Sequence, residues 1–95
     1  MNEIKYEPGT GEPDAFNFYE DGRKIGVMNV ETDGRDLTVL HTEVEKESNG
    51  KGYAGQLIQA MVDYARKKEL KVIPLCPFVR AKFRKEPELY VDIWK

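Results

Sequence analysis

Cysteine and histidine are scarce in this 95-residue chain, which contains one of each. A single cysteine, Cys76, excludes a disulfide within the chain, so a reducing, cytoplasmic environment is the expected one. One cysteine and one histidine, His41, fall short of the four ligands of a structural zinc site. We therefore expect no metal.

Long apolar runs are also missing, since none approaches the roughly 20 residues that span a bilayer. The first residues, Met1 to Lys5, have neither the cationic start nor the apolar stretch of a signal peptide. We expect no membrane association. Nothing in the sequence favours a dimer, and a monomer is the expected state.

Charge is abundant, and its sign changes along the chain. Residues 1–47 carry five Lys/Arg against twelve Asp/Glu, whereas residues 48–95 carry ten against five. The basic half favours a polyphosphate and the acidic half a cationic partner such as an amine. Two solvated faces that attract each other explain the same pattern. The overall acidity disfavours nucleic acid, although a basic run leaves a small RNA- or peptide-binding domain open (Arg80, Lys82, Arg84 and Lys85).

The order of predicted elements indicates an α/β (α+β) fold in one domain, residues 1–95. Alternating residues predict strands at 15–20, 24–31 and 36–44, joined by hairpins at Asp21-Gly22 and Asp33-Gly34 into an antiparallel meander. A shorter strand is expected at 4–6. On strand 24–31 we expect Ile25 and Val27 on one face, with Met28 and Val30 on the other.

Strand 36–44 has apolar residues on both predicted faces, which is typical of a central strand. A helix from 54 to about 69 and a strand at 71–75 complete a βαβ unit, so the last strand should run parallel to strand 36–44. A short helix is expected at 77–85 and a final strand at 89–94.

Two glycines introduce the longer helix. Gly50 and Gly52 leave backbone N–H groups accessible at a helix N-terminus, where the partial positive charge attracts anions. Asn49 would add a hydrogen-bond donor and Lys51 a charge, which predicts a loop that holds a pyrophosphate. Gly-x-Gly alone is equally compatible with an ordinary helix start.

Cys76 is followed by Pro77, and proline favours the first position of a helix. Cys76 is therefore the expected N-cap residue, where the helix dipole favours a thiolate. It follows a parallel strand and should open onto the same sheet edge as the glycine loop. If the strands are neighbours, His41 would lie near it, as in thiolate chemistry. Spacing alone favours a buried structural cysteine and a core histidine that bonds a backbone carbonyl.

The region from His41 to the end resembles the GNAT superfamily of N-acetyltransferases. Residues 47–52, Glu-Ser-Asn-Gly-Lys-Gly, match its Gln/Arg-x-x-Gly-x-Gly/Ala signature except at Glu47. The segments 41–44, 50–54 and 75–79 are similar to a minimal subgroup that lacks the usual N-terminal helices. The resemblance implies a GNAT-like mixed sheet and acetyl-CoA as co-substrate, without a metal.

The resemblance further implies an N-acetyltransferase that moves an acetyl group to an amine acceptor, a small molecule or a protein. His41 and Cys76 would face the thioester and act catalytically. The coenzyme-binding residues would be Val44, Ser48, Asn49, Gly50, Lys51, Gly52, Tyr53, Ala54, Cys76 and Phe78. The competing hypothesis is a non-catalytic coenzyme A-binding module that acts through a protein partner.

Overall fold

The computed structural model describes residues 2–46 and 50–95. Its elements, in chain order, are β1 (Asn2–Glu7), β2 (Asp14–Glu20), β3 (Arg23–Asp33), β4 (Asp36–Val44), α1 (Tyr53–Lys68), β5 (Lys71–Pro74) and α2 (Pro77–Lys85), followed by a 3-10 helix (Pro87–Leu89). The sheet has the strand order β1-β2-β3-β4-β5. β1 to β4 are antiparallel neighbours, and β5 runs parallel to β4. The predicted meander, βαβ unit and short C-terminal helix are confirmed.

The final strand expected at 89–94 is wrong. This segment forms the end of the 3-10 helix and a turn, with one parallel bridge between Val72 and Trp94. Tyr90 and Ile93 are both buried, and residues three apart share a side in a helical turn but not in a strand. The stacked rings of Phe83 and Tyr90, 4.3 Å apart, hold the turn against α2.

One face of the sheet carries the core. α1 contacts β2, β3 and β4, α2 contacts β4 and β5, and Val79 and Phe83 of α2 belong to the same core as the buried residues of α1. Helix α1 contributes an apolar stripe at helical spacing, namely Leu57, Ile58, Met61, Val62 and Ala65. The opposite face, here called the outer face, has no helix among the described residues.

Two β-bulges change which residues face the core. Leu40 is an extra residue in β4, because Val30 pairs with Val39 and Asn29 pairs with His41. The bulge reverses the alternation, so Val44 packs against the same core as Val39, although the regular pattern placed it on the other face.

Ile25 is the corresponding extra residue in β3, since Lys24 pairs with Tyr19 and Gly26 with Phe18. Ile25 consequently shares the core with Met28 and Val30, whereas Val27 lines a surface cleft. The predicted grouping of Ile25 with Val27 is wrong for this reason.

The connection between β1 and β2 is a tight loop. Asp14 accepts hydrogen bonds from the Tyr6 hydroxyl (2.6 Å) and the Gly9 N–H (2.9 Å). A Cβ on Gly9 would lie 2.2 Å from the carbonyl oxygen of Glu12, so this position requires glycine. The loop therefore closes over one end of the outer face.

No helix in the described part of the chain has the length and apolar character needed to cross a membrane.

Replacement of Leu57 by alanine should lower the free energy of unfolding by about 2–5 kcal/mol, because Leu57 is fully buried between α1 and the sheet. Chemical denaturation measures the change. The control is Gln56→Ala on the exposed face of the same helix, expected to change stability by less than about 0.5 kcal/mol. Equal effects of the two substitutions would contradict the packing described.

Candidate active site

The two parallel strands separate at the point where Pro74 ends β5. Their pairing stops at Val39 and Pro74, because the Leu75 N–H turns back to the Ile73 carbonyl (3.1 Å) instead of continuing the ladder. The Cys76 N–H donates to the Val39 carbonyl oxygen (3.0 Å), after which the chain enters α2. β4 continues to Val44, so its last residues border a gap where β5 would have continued.

The free edge of β4 presents backbone polar groups to this gap. The Glu45 N–H donates to the Ile25 carbonyl on β3 (2.8 Å). Backbone groups in a strand point alternately to its two sides, so the N–H and C=O of Val44 point away from β3 and towards the gap. An extended ligand could pair with them as a further strand would.

Helix α1 begins beside the gap with unpaired donors. Gly50 and Gly52 have φ angles of 87° and 77°, in the left-handed region that glycine adopts without strain. The first helical bond runs from the Gln56 N–H to the Gly52 carbonyl (3.1 Å). The preceding N–H groups, of Tyr53 to Gly55, have no side-chain cap in the described structure. They are available to an anion.

The gap and the helix start form one cleft of about 430 Å³. Its walls are Val44, Gly50, Gly52, Tyr53, Ala54, Gly55 and Phe78. Six of these seven were predicted as coenzyme contacts, and Gly55 was not. Ser48 and Asn49 lie outside the described residues. Lys51 is not part of the wall; its ammonium group lies 5.9 Å from the centre of the Tyr53 ring.

Tyr53 fixes the first turn of α1 to the sheet. Its hydroxyl donates to Glu20 on β2 (2.7 Å), and its ring lies 4.6 Å from that of Phe18. Half-exposed Phe78 closes the cleft from α2. The wall is rigid on the Tyr53 side because the ring is buried and its polar atom is paired.

The structure places Cys76 beside Thr42 rather than His41. Cys76 is 4% exposed, and its sulfur lies 3.5 Å from the Thr42 hydroxyl oxygen. His41 points to the outer face, where its imidazole is 62% exposed and lies 3.7 Å from a Glu43 carboxylate oxygen. Neighbouring strand residues point to opposite faces, so the thiol and the imidazole flank β4 from its two sides.

Comparison with known proteins assigns the family. A family model described as GCN5-related N-acetyl-transferase matches residues 15–93, which is most of the chain. The chain belongs to this family. No curated protein matches it significantly in sequence.

Solved structures of other GCN5-related proteins share the fold. A GCN5-like protein from Staphylococcus aureus is 28% identical with a TM-score of 0.72, over 98% of this chain and 87% of that one. The ribosomal-protein-alanine N-acetyltransferase from Brucella melitensis is 26% identical with a TM-score of 0.65, over 90% and 66%. An acetyltransferase from Elizabethkingia anophelis, with acetyl-CoA bound, is 12% identical with a TM-score of 0.62, over 78% and 63%. This GCN5-related domain thus spans about two thirds of the latter two chains.

The surroundings of Cys76 in this GCN5-related domain lower the pKa of its thiol. Burial raises its pKa, but stabilisation of the thiolate by the Thr42 hydroxyl and by the N–H groups of Val79, Phe78 and Thr42 outweighs burial. The net pKa lies below the usual value of a cysteine. The N–H groups in the first turn of α2 lower the pKa of Cys76, although none of them forms a capping hydrogen bond of regular geometry with its side chain.

Thr42 is a functional candidate that the sequence did not reveal. A threonine in a strand has an ordinary structural explanation, and the regular alternation aligned His41 instead with Leu37 and Val39. Only the bulge at Leu40 turns Thr42 towards Cys76.

Replacement of Thr42 by valine should raise the pKa of Cys76, because the hydroxyl that stabilises the thiolate is lost while the side-chain shape is kept. Ultraviolet absorbance of the thiolate, followed against pH, measures the shift. Thr38→Val on the same strand is the control, since Thr38 has no described contact with the sulfur. An unchanged or lower pKa in Thr42→Val would contradict the assignment.

Proposed function

We propose that this domain binds acetyl-CoA in the cleft between β4, α1 and α2 and transfers the acetyl group to an amine. The observation that carries the proposal is the pairing, in one cleft, of a free strand edge with a glycine-flanked helix N-terminus. Coenzyme A requires both, because it joins an amide-containing arm to a pyrophosphate. Family membership and the acetyl-CoA bound to the Elizabethkingia neighbour support the same ligand.

The helix start would hold the pyrophosphate. The N–H groups of Tyr53, Ala54 and Gly55 are oriented along the helix axis and carry the positive end of its dipole. No acidic residue lies in the first turn to oppose an anion. Ser48 and Asn49 remain proposed contacts from the sequence signature, and Lys51 would contribute charge.

The pantetheine arm would extend β4 as an added strand. Its amides can pair with the N–H and C=O of Val44, and Phe78 would pack on its apolar carbons. This direction leads the thioester from the helix start towards Thr42 and Cys76. A backbone N–H of β4 near Val44 would polarise the thioester carbonyl.

Direct transfer is the route that the placement of His41 favours. The amine nitrogen attacks the thioester carbonyl carbon, the carbon–sulfur bond breaks, and coenzyme A leaves as the thiolate. The amine proton passes to His41 or to a water molecule. His41 is exposed on the outer face, which an acceptor can reach from solvent.

A covalent route remains a second proposal. The Cys76 thiolate would attack the thioester carbonyl carbon, with release of coenzyme A as its thiolate. The amine would then attack the acetyl-cysteine, which restores the Cys76 thiolate and passes the amine proton to His41 or to a water molecule. Its lowered pKa supports this route, whereas its 4% exposure and its distance from the outer face limit access by the acceptor. Activation would come from Thr42 and the α2 N-terminus.

Gly52→Ala should weaken acetyl-CoA binding by about tenfold, because the left-handed conformation costs roughly 1–2 kcal/mol without glycine and the helix start would shift. Amide chemical shifts followed by NMR during an acetyl-CoA titration measure affinity. Gly34→Ala is the matched control, since Gly34 also has a positive φ (60°) and open space but lies in the β3–β4 hairpin. Equal affinity of the two variants would contradict the site.

Cys76→Ala should lower turnover more than acetyl-CoA binding, by at least about tenfold if an acetyl-cysteine forms. Steady-state acetylation of an amine and the same NMR titration give the two quantities. Equal turnover of the variant and the wild type would exclude the covalent route and leave direct transfer.

The alternative function is a coenzyme A-binding module without catalysis of its own. The bare outer face favours it, because a partner could complete the acceptor side. A panel of amines separates the two functions: acetyl-CoA binding without transfer to any amine would support the module, and transfer would exclude it.

A further inference from the structure

A second cleft lies on the outer face, under the β1–β2 loop. Its volume is about 320 Å³. Residues of β1, β2, β3 and the loop line it, among them Glu7, Glu12, Asn17, Tyr19 and Lys24. It lies across the sheet from the core, and none of its lining residues belongs to the wall of the coenzyme cleft.

The floor of this cleft holds an unsatisfied hydrogen-bond acceptor. Asn17 is 8% exposed, and its side-chain amide donates to Glu7 Oε1 (2.8 Å). This bond fixes the orientation of the amide, because only the nitrogen can donate. The Asn17 Oδ1 atom is buried and has no partner among the described residues, which costs about 1–3 kcal/mol.

The charge of the cleft is negative where that oxygen lies. Glu7 Oε1 also accepts a hydrogen bond from the Tyr19 hydroxyl (2.6 Å). These bonds hold the pKa of Glu7 below its usual value, so the carboxylate is ionised. Glu12 adds a second carboxylate from the loop. Two cations oppose these carboxylates: Lys24 on β3, in the lining, and Lys5 on β1, whose charge also acts on Glu7.

The sheet register connects this cleft to the proposed reaction site. Asn17 pairs with Val27, and Val27 pairs with Glu43, which neighbours Thr42. Two strand spacings therefore separate Asn17 from β4, a distance of about 10 Å. A chain lying across the strands on the outer face would pass His41 and Glu43 on its way to the thioester.

We propose that the Glu7–Asn17 cleft binds a second cationic group of the acceptor, so that the preferred acceptor is an extended diamine with its reactive nitrogen about 14 Å away, because the pantetheine arm would lie one strand spacing beyond β4. An ammonium group supplies the donor that Asn17 Oδ1 lacks and pairs with the carboxylate of Glu7. An acceptor with a single amine would leave Asn17 Oδ1 without a hydrogen-bond donor and the Glu7 carboxylate without a cation from the acceptor. This inference rests on the proposed acetyl transfer, which sets where the reactive nitrogen lies.

The test compares 1,10-diaminodecane with decylamine, which share an apolar chain and differ in the second amine. We expect KM for the diamine to be about tenfold lower, the ratio expected of one charge-assisted contact. Glu7→Gln keeps the hydrogen-bond geometry and removes the charge, so it should abolish the difference between the two substrates. Glu12→Gln should reduce that difference without disturbing the β1–β2 contacts.

Glu3→Gln is the matched control, since Glu3 lies on the same strand but does not line the cleft. It should retain the preference for the diamine. Equal KM values for the two substrates in the wild type, or the same loss in Glu3→Gln and Glu7→Gln, would overturn the inference. A water molecule on Asn17 Oδ1 would then be its partner.

A binding experiment distinguishes this failure from failure of the proposed function. If no amine is acetylated, 1,10-diaminodecane is titrated into labelled protein and the Asn17 and Tyr19 resonances are followed by NMR. Shifts that are lost in Glu7→Gln and retained in Glu3→Gln would support the cation site without catalysis. Absence of shifts at Asn17 would overturn it, whatever the outcome for acetyl-CoA.

Discussion

The end of pairing between β4 and β5 is the constraint on which the site depends. The Leu75 N–H donates to the Ile73 carbonyl (3.1 Å) instead of to β4, so the ladder stops at Val39 and the chain is redirected through Cys76 into α2. The last residues of β4 then keep a free edge beside the start of α1. A β5 that continued in register would fill the cleft, and the helix start would face a closed sheet.

The bulge at Leu40 acts together with this separation. It exchanges the faces of the residues that follow, so that Thr42 contacts Cys76 and His41 reaches the outer surface. The two faces of β4 therefore lie in different environments. On the core side a thiol lies among backbone donors, and on the other side an imidazole and a carboxylate lie in solvent. Acceptor and coenzyme can approach β4 from different directions.

The fold could be predicted from the sequence because each signal was local. The hairpin dipeptides, the apolar stripe of α1 and Pro77 at a helix start determine elements and their order. The glycine pair predicted the start of α1, beside which the cleft lies, for the same reason. The proximity of Cys76 to His41 was a non-local inference from the expectation that their strands are neighbours, and strand adjacency does not determine which face of β4 a side chain occupies. A single extra residue reversed the alternation in β4, and no residue type near Leu40 signals the bulge.

The conformation of the C-terminal segment was also not predictable from local sequence. Residues 89–94 have strand-like composition, yet Tyr90 and Ile93 both enter the core, and Arg66 of α1 bonds the carboxylate of Asp92 (3.0 Å). A strand would turn one of the two apolar side chains into solvent. Burial of both outweighs the intrinsic strand preference, since each buried side chain of this size contributes about 1.5–3 kcal/mol, against about 1 kcal/mol for the whole range of strand propensities. Tertiary packing therefore determines the conformation of residues 89–94, as the bulge determines the side-chain directions in β4. The outer face remains open, because no further strand or helix covers it in the described chain.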